Sequence, residues 1–309
     1  MHTLQQLRAF VTLARHERYG PAADELGISQ STLSAQIIAL ERSLGLTLCE
    51  QLGGRTRLTS VGAELLVEAR ETIRLMDEAY LAMQERVDPL LLHTAPVRMA
   101  ADTTVGIYVL PRALGDLRRA HPRIEIQLEI VNRAQVIARL ASGETDLVVL
   151  GQPPELDGLA VEPYLAHQLV VFAAPTHPLA GAGRISLDRF AAEALVVREP
   201  GSGTRRIVET LFGAAGLSPR IALELGHNGA VKAAVAAGLG VGVISSIALE
   251  RELRLGRLVL LDVEGFPVRR TWHIVRQQQR RLSAAAALVL AFLCEQRAQH
   301  TAVPPQSPT

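Results

Sequence analysis

Lysine is nearly missing from this sequence. Of the 32 basic residues in 309, only Lys232 is lysine, and the others are arginine. Cysteine is scarce too. Cys49 and Cys294 stand far apart and belong to no CxxC pair, which argues against a disulfide framework and against a cysteine-based metal site. Aromatic residues reach only 4%, so Ala, Leu and Val must build the core. A net charge of +1 marks no particular partner. No apolar run reaches membrane-spanning length and no charged-then-apolar leader opens the chain, so a soluble, cytoplasmic protein without membrane contact is expected. No nucleophile with a neighbouring base can be assembled. His121, His177 and His273 lack ligand spacing, and no carboxylate cluster stands out. An enzyme, a metal site and a resident cofactor are therefore not expected.

What is abundant is aliphatic surface to bury, at 48% hydrophobic, enough for two or three domains. The first 59 residues carry helical spacing. "LQQLRAFVTLAR" (4–15) lines up Leu4, Leu7, Phe10, Val11 and Ala14 on one face. "GPAADELG" (20–27) places Pro21 at a first helical position and Gly27 at a stop. "ISQSTLSAQIIALERSLG" (28–45) starts at Ser29 as a cap and buries Leu33, Ile37, Leu40 and Leu44. "LTLCEQLGGRTRLTSVG" (46–62) reads as a hairpin turning at Gly53-Gly54. Residues 60–87 then read as one helix of roughly seven turns. Its stripe of Leu65, Leu66, Ala69, Ile73, Met76 and Tyr80 suits pairing with a second copy of the chain. "DPLLLHTAP" (88–96) reads as a linker. Strand-like and helical runs alternate beyond it, which predicts α/β architecture with mostly parallel sheets, large enough for two lobes with a cleft between them.

Two short helices around a tight turn at Gly27-Ile28 form a helix-turn-helix, whose second helix reads base edges from residues near its start. Gln30 suits a bidentate contact to adenine. Ser29, Ser31, Thr32, Ser34 and Gln36 offer groups for phosphates or bases, and Arg55 and Arg57 on the hairpin suit the DNA backbone or minor groove. Charge alone does not decide, because residues 1–59 hold six Arg against five Asp plus Glu. A generic three-helix packing unit is the bland alternative.

"AADELGISQSTLSAQIIALERSLGLTLCE" followed by "RLTSVGAELL" closely resembles the LysR-type transcriptional regulators. The resemblance implies an N-terminal, mostly α winged helix-turn-helix (1–59), a long linker helix for dimerisation (60–87) and a hinge (88–95). A two-lobed α/β effector-binding domain of the periplasmic-binding-protein kind follows (96–300), with lobe I near 96–165 and 267–300 and lobe II near 166–266. Residues 301–309 are expected as a disordered tail. A dimer of dimers on double-stranded promoter DNA is also implied, with RNA polymerase a further candidate partner. This chain departs from the family pattern at Gly20-Pro21, Cys49 and Gln51. Within the family, segments 131–155, 198–205, 225–245 and 257–275 resemble regulators of carbon-dioxide-fixation operons, although "HNGAVK" carries Gly229 where that subgroup has an acid. A sugar phosphate, phosphoglycolate or NADPH are effectors the resemblance implies. Regulators of other operons share parts of these segments.

Ligands in two-lobed α/β folds sit at the carboxyl ends of strands. The candidate loops supply Asp102, Thr103 and Thr104, then Asn132, Arg133 and Gln135, then Arg198, Gly201, Ser202, Gly203, Thr204 and Arg205 from "REPGSGTR", and finally His227, Asn228 and Lys232. Hydroxyls, amides, cations and a helix start together suit a small anionic metabolite. The sole lysine is the most conspicuous of them. An enzyme or a solute-binding module acting on a phosphorylated metabolite remains the remote alternative.

Overall fold

The computed structural model describes residues 3–87 and 96–301, and the chain forms two compact units, residues 1–92 and 93–309. The expected hinge at 88–95 and residues 302–309 of the expected tail lie outside the described residues. Thr301 itself ends a helix.

The first unit opens with α1 (Leu4–His16). The Thr3 hydroxyl accepts the Gln6 amide while the Gln6 side chain accepts the Thr3 amide, a reciprocal capping box. Glu17 ends α1 in the left-handed region at φ 54, a conformation side chains other than glycine seldom adopt. Tertiary contacts hold it there, because its carbonyl accepts the Thr56 amide at 2.8 Å. Helix α2 (Tyr19–Leu26) begins two residues before Pro21, so the expected first helical position for that proline is corrected. Its flanking residue Arg18 supplies no side-chain cap. Gly27 closes α2 at φ 64, and helix α3 (Gln30–Leu44) follows at once with the Ser29 hydroxyl accepting the Thr32 amide at 3.1 Å.

Strands β1 (Cys49–Leu52) and β2 (Arg55–Leu58) make the hairpin, turning at left-handed Gly53 and Gly54. Phe10, Leu13, Leu33, Ile37 and Leu40 form the unit's core, each burial stabilising by roughly 1.5–3 kcal/mol. Helix α4 (Ser60–Val87) adds Leu65, Leu66, Ala69 and Ile73 to that core, while Leu75, Met76, Tyr80 and Met83 stay exposed.

The second unit is built on a nine-stranded sheet. Strand β3 (Val97–Asp102) leads into α5 (Thr103–Tyr108) and α6 (Leu110–Ala120). Strand β4 (Ile126–Val131), α7 (Arg133–Ala141), β5 (Leu147–Leu150) and the long β6 (Leu159–Ala173) follow. Next come α8 (Leu187–Ala191), β7 (Ala194–Arg198), α9 (Gly203–Ala214), β8 (Arg220–Leu225), α10 (Asn228–Ala236) and β9 (Val241–Ser245). The chain closes with α11 (Glu250–Arg254), β10 (Val259–Leu261), β11 (Val268–Gln277) and α12 (Ala284–Thr301).

The expectation of mostly parallel sheets is corrected. The outer strands are parallel, β4-β3-β5 in one lobe and β9-β7-β8 in the other. The middle is antiparallel, with β11 against β5 and β6, and β6 also against β9 and β10. The reason lies in β6 and β11. They run side by side in opposite directions, because β11 carries the chain back to the first lobe after α8–α11 and β7–β10 have built the second. Leucine, valine and alanine fill both lobe cores, joined by Trp272 in the first and by Phe190 and Phe212 in the second.

Candidate functional site

In the first unit, α3 presents Gln30, Ser31 and Thr32 on its exposed first turn. The Ser29 hydroxyl is engaged as the cap and lies 2.8 Å from both the Ser31 and Thr32 hydroxyls. Ser34 and Gln36 are half-buried on the flank, whereas Ala35 and Ile38 share the open face with Gln30. Arg55 and Arg57 are exposed on the hairpin. Arg55 lies 3.6 Å from the carboxylate of Glu17, so the end of α1 fixes the hairpin through a backbone bond and an ion pair. The Gln51 amide donates to the Thr56 hydroxyl at 3.0 Å. Burial and the nearby Glu41 push the half-buried Cys49 thiol up to about 11, which leaves it an inert packing residue.

In the second unit, the ends of β3, β4, β5 and β7 converge on a cleft between the lobes, over a floor formed by β6 and β11. Thr103, Thr104, Asn132, Arg198, Ser202, Gly203 and Thr204 line it, all among the residues expected from sequence. Helix α9 opens into the cleft, and the Ser202 hydroxyl before it makes no capping hydrogen bond, which leaves the first amides of α9 for another acceptor.

Five expected ligand residues are placed otherwise. Gln135 turns back to the Asn132 amide, which donates to its Oε1 at 3.3 Å, and so closes a capping box on α7. Gly201 supplies a turn at φ 85, and its carbonyl accepts the Ala134 amide at 3.3 Å from the opposite lobe. Arg205 is held by Glu209 and Glu224. Asn228 is fully buried behind the cleft. Lys232 is the clearest correction. Its ammonium pairs with Glu252 at 2.8 Å, donates to the Ala248 carbonyl at 2.8 Å and lies 5.4 Å from the centre of the Tyr108 ring. The sole lysine therefore serves packing between elements and does not line the cleft.

Arg198 lines the cleft without being free for a ligand. Glu199 takes its Nε at 2.7 Å and Nη2 at 2.9 Å, and Asn228, Thr103 and the Gly226 carbonyl take its remaining donors. The cations with donors to spare are Arg133, a residue of the second candidate loop, and Arg270, which no sequence pattern marked. Arg133 Nε donates to the Gln152 carbonyl at 2.9 Å, and Arg270 Nη2 donates to the Gln152 side chain at 3.2 Å. Burial lowers the proton affinity of Arg133, and repulsion from Arg206 and Arg270 adds to this, partly opposed by Asp102. Among the described residues, Arg133, Arg206 and Arg270 have no carboxylate within 4.0 Å. The floor beneath them is His167 stacked on Trp272, with ring centroids 3.9 Å apart and planes 3° apart. His167 Nδ1 lies 3.2 Å from the Ser245 hydroxyl, and burial followed by Arg270 depresses the imidazole to about 4. It is neutral at physiological pH.

The residues brought together are thus unpaired guanidiniums, hydroxyls and free helix-start amides around a neutral aromatic shelf, a set that receives a compact anion. His167 and Arg270 lie inside strands, and the first half of β6 carries no marked strand signal, so no loop pattern pointed to them. Arg133 stood next to the chosen Asn132 and was visible as a basic residue at the start of α7.

Residues 92–298 match the LysR substrate binding domain, and residues 4–63 match the bacterial regulatory helix-turn-helix proteins of the lysR family. The chain belongs to the LysR family. This LysR-family protein is 39% identical over 303 residues to the RuBisCO operon transcriptional regulator of Allochromatium vinosum, covering 97% of this chain and 98% of that one. It is 38% identical over 292 residues to the transcriptional activator CmpR of Synechocystis, covering 94% of each. Among solved structures, the regulatory domain of Synechocystis CcmR in complex with 2-PG superposes with a TM-score of 0.62 at 37% identity, covering 65% of this LysR-family chain and 97% of that one.

Proposed function

We propose that this LysR-family regulator is cytoplasmic and controls a carbon-dioxide-fixation operon. In this reading its DNA binding is set by a small phosphorylated anion, 2-phosphoglycolate being the first candidate. The observation that carries the reading is the group of guanidiniums, Arg133, Arg206 and Arg270, near the open start of α9, with no carboxylate within 4.0 Å among the described residues. An anion relieves that repulsion and accepts the free amides. Thr103, Thr104, Asn132, Ser202, Gly203 and Thr204 complete the proposed site, with Arg133 and Arg270 as its cations and His167 as its floor. Relatives named for the RuBisCO operon, and a relative's regulatory domain holding 2-PG, support the same choice.

The protein acts by binding and not by turnover. Residues 1–59 read promoter DNA through Gln30, Ser31 and Thr32, with Arg55 and Arg57 on the backbone. Helix α4 pairs two copies through Leu75, Met76, Tyr80 and Met83, which are exposed within one chain, and two such pairs make a tetramer. The effector must bind one arrangement of the heads better than the other, with couplings of about 1–3 kcal/mol typical. A gel shift on the chain's own upstream DNA, with and without 2-phosphoglycolate, tests the reading. Retarded DNA whose affinity or bend changes with the metabolite supports it, and an unchanged complex at saturating metabolite refutes it.

A further inference from the structure

The cleft that gathers arginines also contains an acid. Asp102 ends β3, lies deep in the fold and keeps some surface open to the cleft. Its Oδ2 accepts the Gly151 amide at 2.8 Å. Among the described residues no cation approaches either carboxyl oxygen within 4.0 Å. A buried carboxylate without an ion-pair partner, placed where an anion is to bind, is an electrostatic conflict unless a proton resolves it.

The groups facing Asp102 do not supply the missing charge. Arg198 on β7 is the cation that acts on it most strongly, and Glu199 already neutralises that guanidinium through two contacts. Arg133 on α7 acts more weakly. The Gly151 amide beyond β5 and the Thr104 amide of α5 are dipoles. Of the two floor strands, β6 contributes His167, which is neutral, and β11 contributes Arg270, whose charge is directed at Gln152 and the cleft. Burial accordingly pushes the Asp102 carboxyl above the usual range, against the weaker opposing pull of the amides and arginines.

We propose that Asp102 is the specificity-determining residue of the cleft: it shares one proton with the bound oxyanion, so the site accepts a phosphate ester and rejects a sulfate ester of the same shape. This rests on the anion-site reading above. An O–H···O⁻ bond between a carboxyl and a phosphate oxygen is short and strong. The second ionisation of a phosphate ester falls at about pH 6, so near neutral pH the ester is a strong enough base to take a share of the proton. A sulfate ester carries a single charge and is far too weak a base to bring a proton or keep one. At about pH 6 and below the two esters match in charge as well as shape, so there the guanidiniums and amides alone would separate them little.

The pH dependence has a definite sign. Below about pH 6 the phosphate ester carries the proton into the site itself. Once both the ester and Asp102 are ionised in the unbound state, the complex must take the proton from solvent, so affinity falls with further rise in pH, by up to tenfold per unit. A plain dianion site behaves oppositely, gaining affinity as the ester loses its last proton and then levelling off.

The test uses the full-length protein and calorimetric titration with 2-phosphoglycolate and with its isostere, the sulfate ester of glycolate, at pH 6 to 9 in two buffers of different ionisation enthalpy. The expected result is uptake approaching one proton per 2-phosphoglycolate at the alkaline end of that range, and at least tenfold weaker binding of the sulfate ester. In Asp102→Asn the carboxamide donates to either anion. Proton uptake should then vanish, and at pH 6 the two affinities should lie within about threefold. Absence of proton uptake by the wild-type protein, or equal wild-type affinities for the two esters, overturns the proposal without help from any variant and leaves the anion site standing. Failure of the wild-type protein to bind either ester overturns the anion site and the role of Asp102 together.

Discussion

The Asn228 side chain donates to the Thr104 hydroxyl at 2.9 Å, a buried hydrogen bond that ties the start of α10 to the start of α5 across the two lobes. The same amide accepts from Arg198 Nη1 at 2.7 Å, and Arg198 also reaches Thr103 at 3.3 Å. The lobes are therefore already laced together beside the cleft. Asn228→Ala leaves both the Arg198 donor and the Thr104 hydroxyl short of a partner. It should cost about 1–3 kcal/mol of stability, read as a lower urea midpoint. A loss below about 0.5 kcal/mol, the usual range for inert surface changes, would show that the bond does not link the lobes.

Lys232→Ala should spare 2-phosphoglycolate affinity within about threefold, because the ammonium is used by Glu252, Ala248 and Tyr108. The cost appears in stability instead, again about 1–3 kcal/mol for stranding Glu252. Burial pushes the Glu252 carboxyl up, but the Lys232 hydrogen bond and charge outweigh it and leave it below the usual value. A depressed acid stabilises the fold above its unfolded pKa and loses that effect as pH falls through its folded value. The acid-side loss of stability should therefore be smaller in the variant, as thermal melts between pH 3 and 7 would record.

These outcomes show where the sequence was legible. Gly27 and Ser29 have one local solution each, a left-handed stop and a cap, and both hold in the structure. The hairpin at Gly53-Gly54 was equally local. The cleft loops were visible as loops at strand ends. Which loop side chains face the cleft was not, because that depends on partners distant in sequence. Glu252 claims Lys232, Glu199 claims Arg198, and Glu209 and Glu224 claim Arg205. The antiparallel middle of the sheet was hidden for a similar reason. Residues 159–168 have no strand signature of their own and become a strand only by pairing with β11.

His167 carries a second pH signature. Burial and Arg270 hold its imidazole at about 4, while an unfolded histidine takes its proton near 6.5. Between those values the unfolded state binds more protons, so this residue makes stability fall as pH drops from about 6.5 toward about 4. His167→Gln should flatten that part of the stability curve relative to the wild-type protein. Parallel curves would mean the imidazole is protonated in the fold.

Gln30→Ala should weaken binding to the specific operator by about 1–3 kcal/mol, the usual worth of a bidentate base contact, and leave binding to unrelated DNA unchanged. Arg57→Ala should weaken both alike and reduce the salt dependence of binding by close to one counterion. Footprints that are identical for Gln30→Ala and wild type would remove Gln30 from base readout.

The most direct measurement is a calorimetric titration of 2-phosphoglycolate into the full-length protein and into Arg133→Ala. Trp272, the only tryptophan of the chain, lies on the cleft floor and gives an independent fluorescence readout. Saturable binding at one site per chain is predicted for the wild type. Affinity should be at least tenfold weaker in Arg133→Ala, with the unliganded melting temperature no lower, because one of three mutually repelling cations is gone. Equal affinity in the two proteins, or no binding by the wild type, would contradict a cleft built around unpaired guanidiniums.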